Sequence, residues 1–232
     1  MRKVFLFAVC MLLLVAGGAR ADLLYLGPDF SSPIYGYENG SSTLTSVGGG
    51  SIDPSTLNGN PLPWVYCVGL FTTVGVPGTY NNTGVTTNGY VNGALVNNAG
   101  AIAWLLANYA QSGQGGAQIA LQAAIWSVEY PVGGGGQTYA FDTTTGSGQM
   151  NSTASISDYE SIMSAVIGSG TLVNPQESGT ISNYAWLSPG ITGDSTLYQG
   201  LVTQSPVPIP AAVWLLGSGL IGLAGIRRRF TK

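Results

Sequence analysis

Every positive charge in this chain of 232 residues sits at one of its two ends. The basic residues are Arg2, Lys3, Arg20, Arg227, Arg228, Arg229 and Lys232. From Asp22 to Ile226 there is no Lys, Arg or His, and all ten acids fall within that stretch. A body without cations cannot neutralise the phosphates of a nucleic acid, which excludes DNA and RNA as partners. Nor can it supply a Ser-His-Asp or Cys-His apparatus, a Schiff-base lysine, or the lysine of a phosphate loop. A metal would have to be held by scattered carboxylates alone, and no cofactor is implied. Charged residues make up 7% of the chain, against roughly 25% in an ordinary soluble domain. This weakly charged, acidic, Gly- and Thr-rich composition is that of an exported, β-rich domain.

The ends read as addresses. Residues 1–21, MRKVFLFAVCMLLLVAGGARA, have a basic start, an apolar run from Val4 to Ala16, and an Ala19-Arg20-Ala21 cleavage site. That pattern predicts a secretory signal peptide whose removal leaves Asp22 first and discards Cys10. The alternative is a retained membrane anchor. At the other end, Ala211 to Ile226 is an uncharged run behind Pro208-Ile209-Pro210, stopped by Arg227, Arg228 and Arg229. As a helix it would span about 24 Å, somewhat under a ~30 Å hydrocarbon core, with the arginines on the cytoplasmic side. A plain C-terminal anchor and a buried core helix are the alternatives.

The Pro-x-Pro element, the short Gly-, Leu- and Ala-rich helix and the Arg cluster together resemble the PEP-CTERM sorting signal of Gram-negative bacteria. This chain has Ile209 at the middle position, where that family most often has Glu. The resemblance implies an exosortase-type processing enzyme acting near Pro208 and Pro210. It also implies transient anchoring in the inner membrane through residues 211–226, then delivery to the cell surface or extracellular matrix. The family is associated with exopolysaccharide and biofilm.

Between these ends, residues 22–205 read as a single α+β domain, β-rich with a small cluster of about three helices. Leu23 to Leu26 predicts a strand. Gly48-Gly49-Gly50 and Asn58-Gly59-Asn60 read as turns. Trp64 to Val74, aromatic and β-branched, predicts a buried strand, and Asn88 to Val91 a short one. Helices are predicted over Ala94–Tyr109, Ala117–Glu129 and Ser157–Ile167. The second is rich in strong helix formers and ends at Pro131 and the Gly133–Gly136 run. The third carries Tyr159, Ile162, Met163, Val166 and Ile167 on one face, behind a Ser157-to-Glu160 capping box. Ile181–Leu187 and Leu197–Val202 are predicted strands. Gly133–Gly136 and Thr143–Gly148 are expected to be exposed loops.

Two residues stand out chemically. Signal removal leaves one cysteine, Cys67, in the apolar run Trp64-Val65-Tyr66-Cys67. An unpaired cysteine in an exported protein is an intermolecular bridge, an inert buried thiol or a reactive group. Gln122 is the one polar residue in Leu121-Gln122-Ala123-Ala124-Ile125-Trp126 and shares a helical face with Ile125 and Trp126. A buried carboxamide needs a partner, because leaving it unsatisfied costs about 1–3 kcal/mol. That partner is a backbone group or something more specific, unless the face is exposed.

Tyr66-Cys67 followed, 55 residues on, by Gln122-x-Ala124-Ile125-Trp126 resembles the thioester domain of bacterial surface adhesins. Leu121 stands where that family has Thr. The resemblance covers roughly Tyr66 to Tyr130. It implies that the Cys67 sulfur and the Gln122 side-chain carbonyl join as an internal thioester, with loss of ammonia. Tyr66, Ile125 and Trp126 would support it. A partner amine, on a protein or a matrix ligand, would attack the Gln122 carbonyl once, forming an amide and releasing Cys67. This is single acyl transfer without turnover, so no enzyme is expected. A body without lysine then acquires a meaning, because exposed lysines would consume such a bond.

Three readings follow. The first is a covalent adhesin acting through Cys67 and Gln122. The second is a non-reactive structural protein of the exopolysaccharide or biofilm matrix, with both as core residues. The third, and weakest, is a polysaccharide-cleaving enzyme using Asp142, Asp158 or Glu160.

Overall fold

In the computed structural model, the residues described are 22–30, 33–113, 115–146, 151–190 and 197–205. The leader and the sorting segment, with Pro208, Pro210, Arg227, Arg228 and Arg229, lie outside them. Among the described residues no helix is long and apolar enough to cross a membrane.

In chain order the strands begin with β1 (Asp22–Leu26), β2 (Asp29–Phe30), β3 (Pro33–Glu38) and β4 (Leu44–Gly48). The short β5 (Ile52–Asp53), β6 (Ser55–Leu57), β7 (Asn60–Leu62) and β8 (Tyr66–Val68) follow, then the long β9 (Gly78–Thr86). A small hairpin, β10 (Tyr90–Val91) and β11 (Ala94–Leu95), leads into helices α1 (Ala99–Tyr109) and α2 (Gly116–Glu129). The chain continues through β12 (Tyr139–Phe141), α3 (Thr153–Gly168), a 3-10 turn (Ile181–Asn183), β13 (Tyr184–Ser188) and β14 (Gly200–Gln204).

Seven strands form one antiparallel sheet in the order β7-β6-β1-β9-β13-β14-β8. In β1 the period of two is plain: Leu24 and Leu26 are buried while Leu23 and Tyr25 face out. Strand β13, YAWLS, is buried at every position, as an apolar strand covered on both faces should be. A second sheet, β12-β3-β4, lies under α2, and α2 also packs on α1, α3 and β8. The described residues therefore form an α+β, β-rich domain, with three α-helices among them. The mostly buried α2 is its central element.

Several boundaries differ from the sequence reading, each for a physical reason. Helix α1 starts at Ala99, because Ala94 and Leu95 pair with Val91 and Tyr90 as a hairpin. Asn98 precedes it in the left-handed region, φ 58°, and its Nδ2 donates to the Val128 carbonyl at 2.7 Å, tying the start of α1 to the end of α2. Helix α3 starts one turn earlier than predicted. Its N-cap is Ser152, whose Oγ accepts from the Ser155 N–H at 3.1 Å. Ser157 to Glu160 is thus helix interior and no capping box. The run Trp64–Val74 yields only the three-residue β8, because the chain turns at Gly69 with φ +80°. Ile181–Asn183 is a 3-10 turn before β13, and the last strand begins at Gly200.

Candidate functional site

Strand β8 closes one edge of the large sheet, with Cys67 at its centre and paired through register to Leu201 of β14. An edge strand has main-chain groups on its outer side that no strand takes up. Here a side chain takes them. The Cys67 N–H donates to Gln122 Oε1 at 2.8 Å, and Gln122 Nε2 donates to the Cys67 carbonyl at 2.8 Å. The carboxamide thus occupies the place of a peptide group in an eighth strand. Both residues are fully buried.

Two residues further along the same edge, the Gly69 N–H donates to both carboxylate oxygens of Glu129 at 3.1 Å each. Residues 67 and 69 present their outer groups to the same side because strand geometry repeats every two residues. Gln122 and Glu129 lie seven residues, or two turns, apart on one face of α2. Helix α2 therefore holds the strand edge at two polar points, with Ile125 and Trp126 buried between them.

The floor of the site comes from Gly49. A Cβ there would overlap Ile34 Cδ1 and lie 2.9 Å from Gln122 Cγ, so only glycine allows the chain to approach this closely. Gly48-Gly49-Gly50 therefore does more than turn the chain. Tyr66 is buried beside Trp64, ring centroids 5.7 Å apart, and its hydroxyl donates to the Gln111 carbonyl just before α2. Trp126 packs edge-on against Tyr139, with centroids 5.6 Å apart. The buried Trp126 Nε1 and Tyr139 hydroxyl have no hydrogen-bond partner. The structure thus brings Cys67, Gln122, Tyr66, Ile125 and Trp126 into one buried region.

The electrostatics follow from burial in a body without cations. Burial first, and then the nearby Glu129 charge, push the Cys67 thiol up to about 12, so it is neutral at pH 7. Burial pushes the Glu129 carboxyl up to about 7, against the opposing effect of the Gly69 N–H and the Tyr130 hydroxyl. Glu129 lines a cleft of about 280 Å³ whose wall also includes Gly69, Thr72, Leu95, Asn97 and Tyr130. Glu129 was missed in the sequence. Its one signal there was an acid ending an apolar helix in a chain with no cation to pair it.

The raised Glu129 carboxyl makes stability depend on pH. The folded state holds this proton more tightly than the unfolded one, so the stabilisation is full at low pH. It fades as pH rises through about 7. Denaturation at about pH 5 and about pH 8 should show a loss on the order of 2–3 kcal/mol at the higher pH. Glu129→Gln should remove most of that difference. An equal pH dependence in the variant would assign it elsewhere.

The three acids singled out for polysaccharide cleavage sit on two elements, Asp142 just after β12 and the other two on a helix. Asp142 directs its carboxylate to the Thr144 N–H in its own turn, and Asp158 and Glu160 are on α3. Among the described residues no group of three or more potential metal ligands occurs. Comparison with protein-family models, with curated proteins and with solved structures gave no match. The reading of function therefore rests on this geometry and on the sequence.

Proposed function

We propose that this chain is an exported surface or matrix protein whose domain carries an internal Cys67–Gln122 thioester and acylates partner amines, acting as a covalent adhesin. The observation that carries the reading is the reciprocal pair of 2.8 Å hydrogen bonds between the Gln122 carboxamide and the Cys67 main chain. It holds the carboxamide carbon against the residue that bears the thiol, across 55 residues of sequence and away from water. The chemistry follows. The thiol adds to the carboxamide carbon, the C–N bond breaks, and ammonia leaves with the thiol proton. Gln122 Oε1 becomes the thioester carbonyl oxygen. The Cys67 N–H still points at it, within the distance range at which a fixed donor stabilises a developing oxyanion. An amine then attacks the carbonyl, an amide forms, and Cys67 departs as a thiol. Export and sorting would use the signals read at residues 1–21 and 206–232, with an exosortase-type enzyme releasing the body to the surface or matrix.

A second reading is supported by the same bonds. They give both polar atoms of the carboxamide a partner, which is what an inert edge-capping glutamine requires. In that reading the protein is a structural component of the exopolysaccharide or biofilm matrix. The two part on intact mass. The thioester form should lie about 17 Da below the sequence mass, regain mass on addition of methylamine at Gln122, and expose one titratable thiol. Fresh protein with the full sequence mass and a free Cys67 thiol would sink the adhesin reading and leave the structural one.

A further inference from the structure

We propose that Glu129 is the proton carrier of this site, moving a proton between the Cys67 sulfur and the amine nitrogen at the carbonyl of Gln122. This rests on the thioester reading. Three observations place it there. Glu129 shares the α2 face with Gln122, its carboxylate is held by the Gly69 N–H two residues from Cys67, and its charge acts on the Cys67 thiol. It also lines a cleft, shared with Gly69 and Val68 beside Cys67, through which an amine would approach.

The site needs such a group. Forming the thioester moves one proton from sulfur to the departing nitrogen. Aminolysis is the reverse exchange and moves one proton from the incoming nitrogen to sulfur. A carboxylate that takes the proton from one atom and returns it to the other serves both directions and is regenerated each time. When an unprotonated amine attacks, the C–N bond forms and the C–S bond breaks. The nitrogen proton passes to Glu129 and then to the Cys67 sulfur, which leaves as a thiol. Without that delivery the leaving group would be a thiolate in a dry, cation-free pocket, the unfavourable state that burial and the Glu129 charge both penalise. The Gly69 N–H just past β8 and the Tyr130 hydroxyl at the end of α2 both bond the Glu129 carboxylate, and the Cys67 thiol is close enough to feel its charge. The Asn97 amide lies alongside on the main-chain carbonyl of Glu129.

The test uses purified full-length protein and methylamine, followed by intact mass, with rates divided by the concentration of unprotonated amine. The wild type should speed up as pH rises to about 7 and then level off. Glu129→Gln, which keeps an acceptor for the Gly69 N–H, should lose ammonia more slowly than wild type and, once it has done so, react with methylamine about 100-fold more slowly, with no inflection. A variant with the ammonia-loss mass and wild-type rate and profile would overturn the role of Glu129 while leaving the thioester in place. A wild type at full sequence mass would overturn both, and is seen before any amine is added. Where the variant fails to fold or to form the bond, the wild-type profile decides alone: a flat normalised profile overturns the proposal.

Discussion

Gln122→Leu and Gln122→Ala should each destabilise the domain by about 3–5 kcal/mol, because each leaves the Cys67 N–H and carbonyl buried and unpaired at about 1–3 kcal/mol apiece, with a cavity added in the alanine variant. The leucine variant is the sharper of the two. It fills the volume of the carboxamide and restores neither hydrogen bond, so its cost reports on polar satisfaction. The measurement is urea denaturation at neutral pH. A Gln122→Leu protein within about 0.5 kcal/mol of wild type would show that β8 keeps its edge without the carboxamide. Cys67→Ala completes the comparison, since it retains both main-chain bonds. In a domain without the covalent bond it should be much milder than Gln122→Leu. In a domain with the bond, both variants lose the same cross-link, and the double variant should cost far less than the sum of the two.

What the sequence disclosed was decided by local patterning. Helix α2 was legible to within one residue, because Ala117 to Glu129 is uninterrupted by breakers and Pro131 ends it. That Gln122 needs a buried partner was legible because a lone glutamine among apolar residues demands one; that the partner is Cys67 came from the resemblance to thioester domains. The atoms involved were not. The expectation concerned the sulfur, whereas the bonds observed run to the main chain of Cys67. That a side chain would stand in for an eighth strand depends on β8 being an edge, which is a property of the strand order.

The strand β9, GTYNNTGVT, was invisible because its Asn pair and two glycines read as loop. It contains Asn82 at φ 56° and still pairs with both β1 and β13. The β3–β4 hairpin was missed for a similar reason, its Ile34, Leu44 and Val47 being scattered among Gly, Ser, Thr and Tyr without a clean apolar alternation. Such strands are specified by their neighbours more than by their own propensity. Helix α1 was overextended because Ala94 and Leu95 favour helix locally and are claimed by a hairpin that locality does not reveal.

Introducing one lysine at the mouth of the Glu129 cleft should turn the protein against itself. Leu95 is 45% exposed and lines that cleft with Gly69 and Glu129. If Gln122 is held as an acyl donor, Leu95→Lys presents a primary amine to it at high effective concentration. Attack within the chain forms an amide and frees Cys67 without further change in mass, since ammonia has already gone. Attack between chains gives oligomers that survive boiling in detergent. In either case a single titratable thiol appears and uptake of methylamine is lost. Leu95→Arg carries the same charge on a side chain of similar reach but offers no reactive amine, so it should behave as wild type. Leu95→Lys combined with Cys67→Ala should also be silent. A Leu95→Lys protein indistinguishable from Leu95→Arg would mean that no acyl donor waits behind this cleft, and the missing lysines would then record composition alone. Cross-linking confined to the lysine variant with an intact Cys67 would make their absence a condition for keeping the bond until a partner amine arrives.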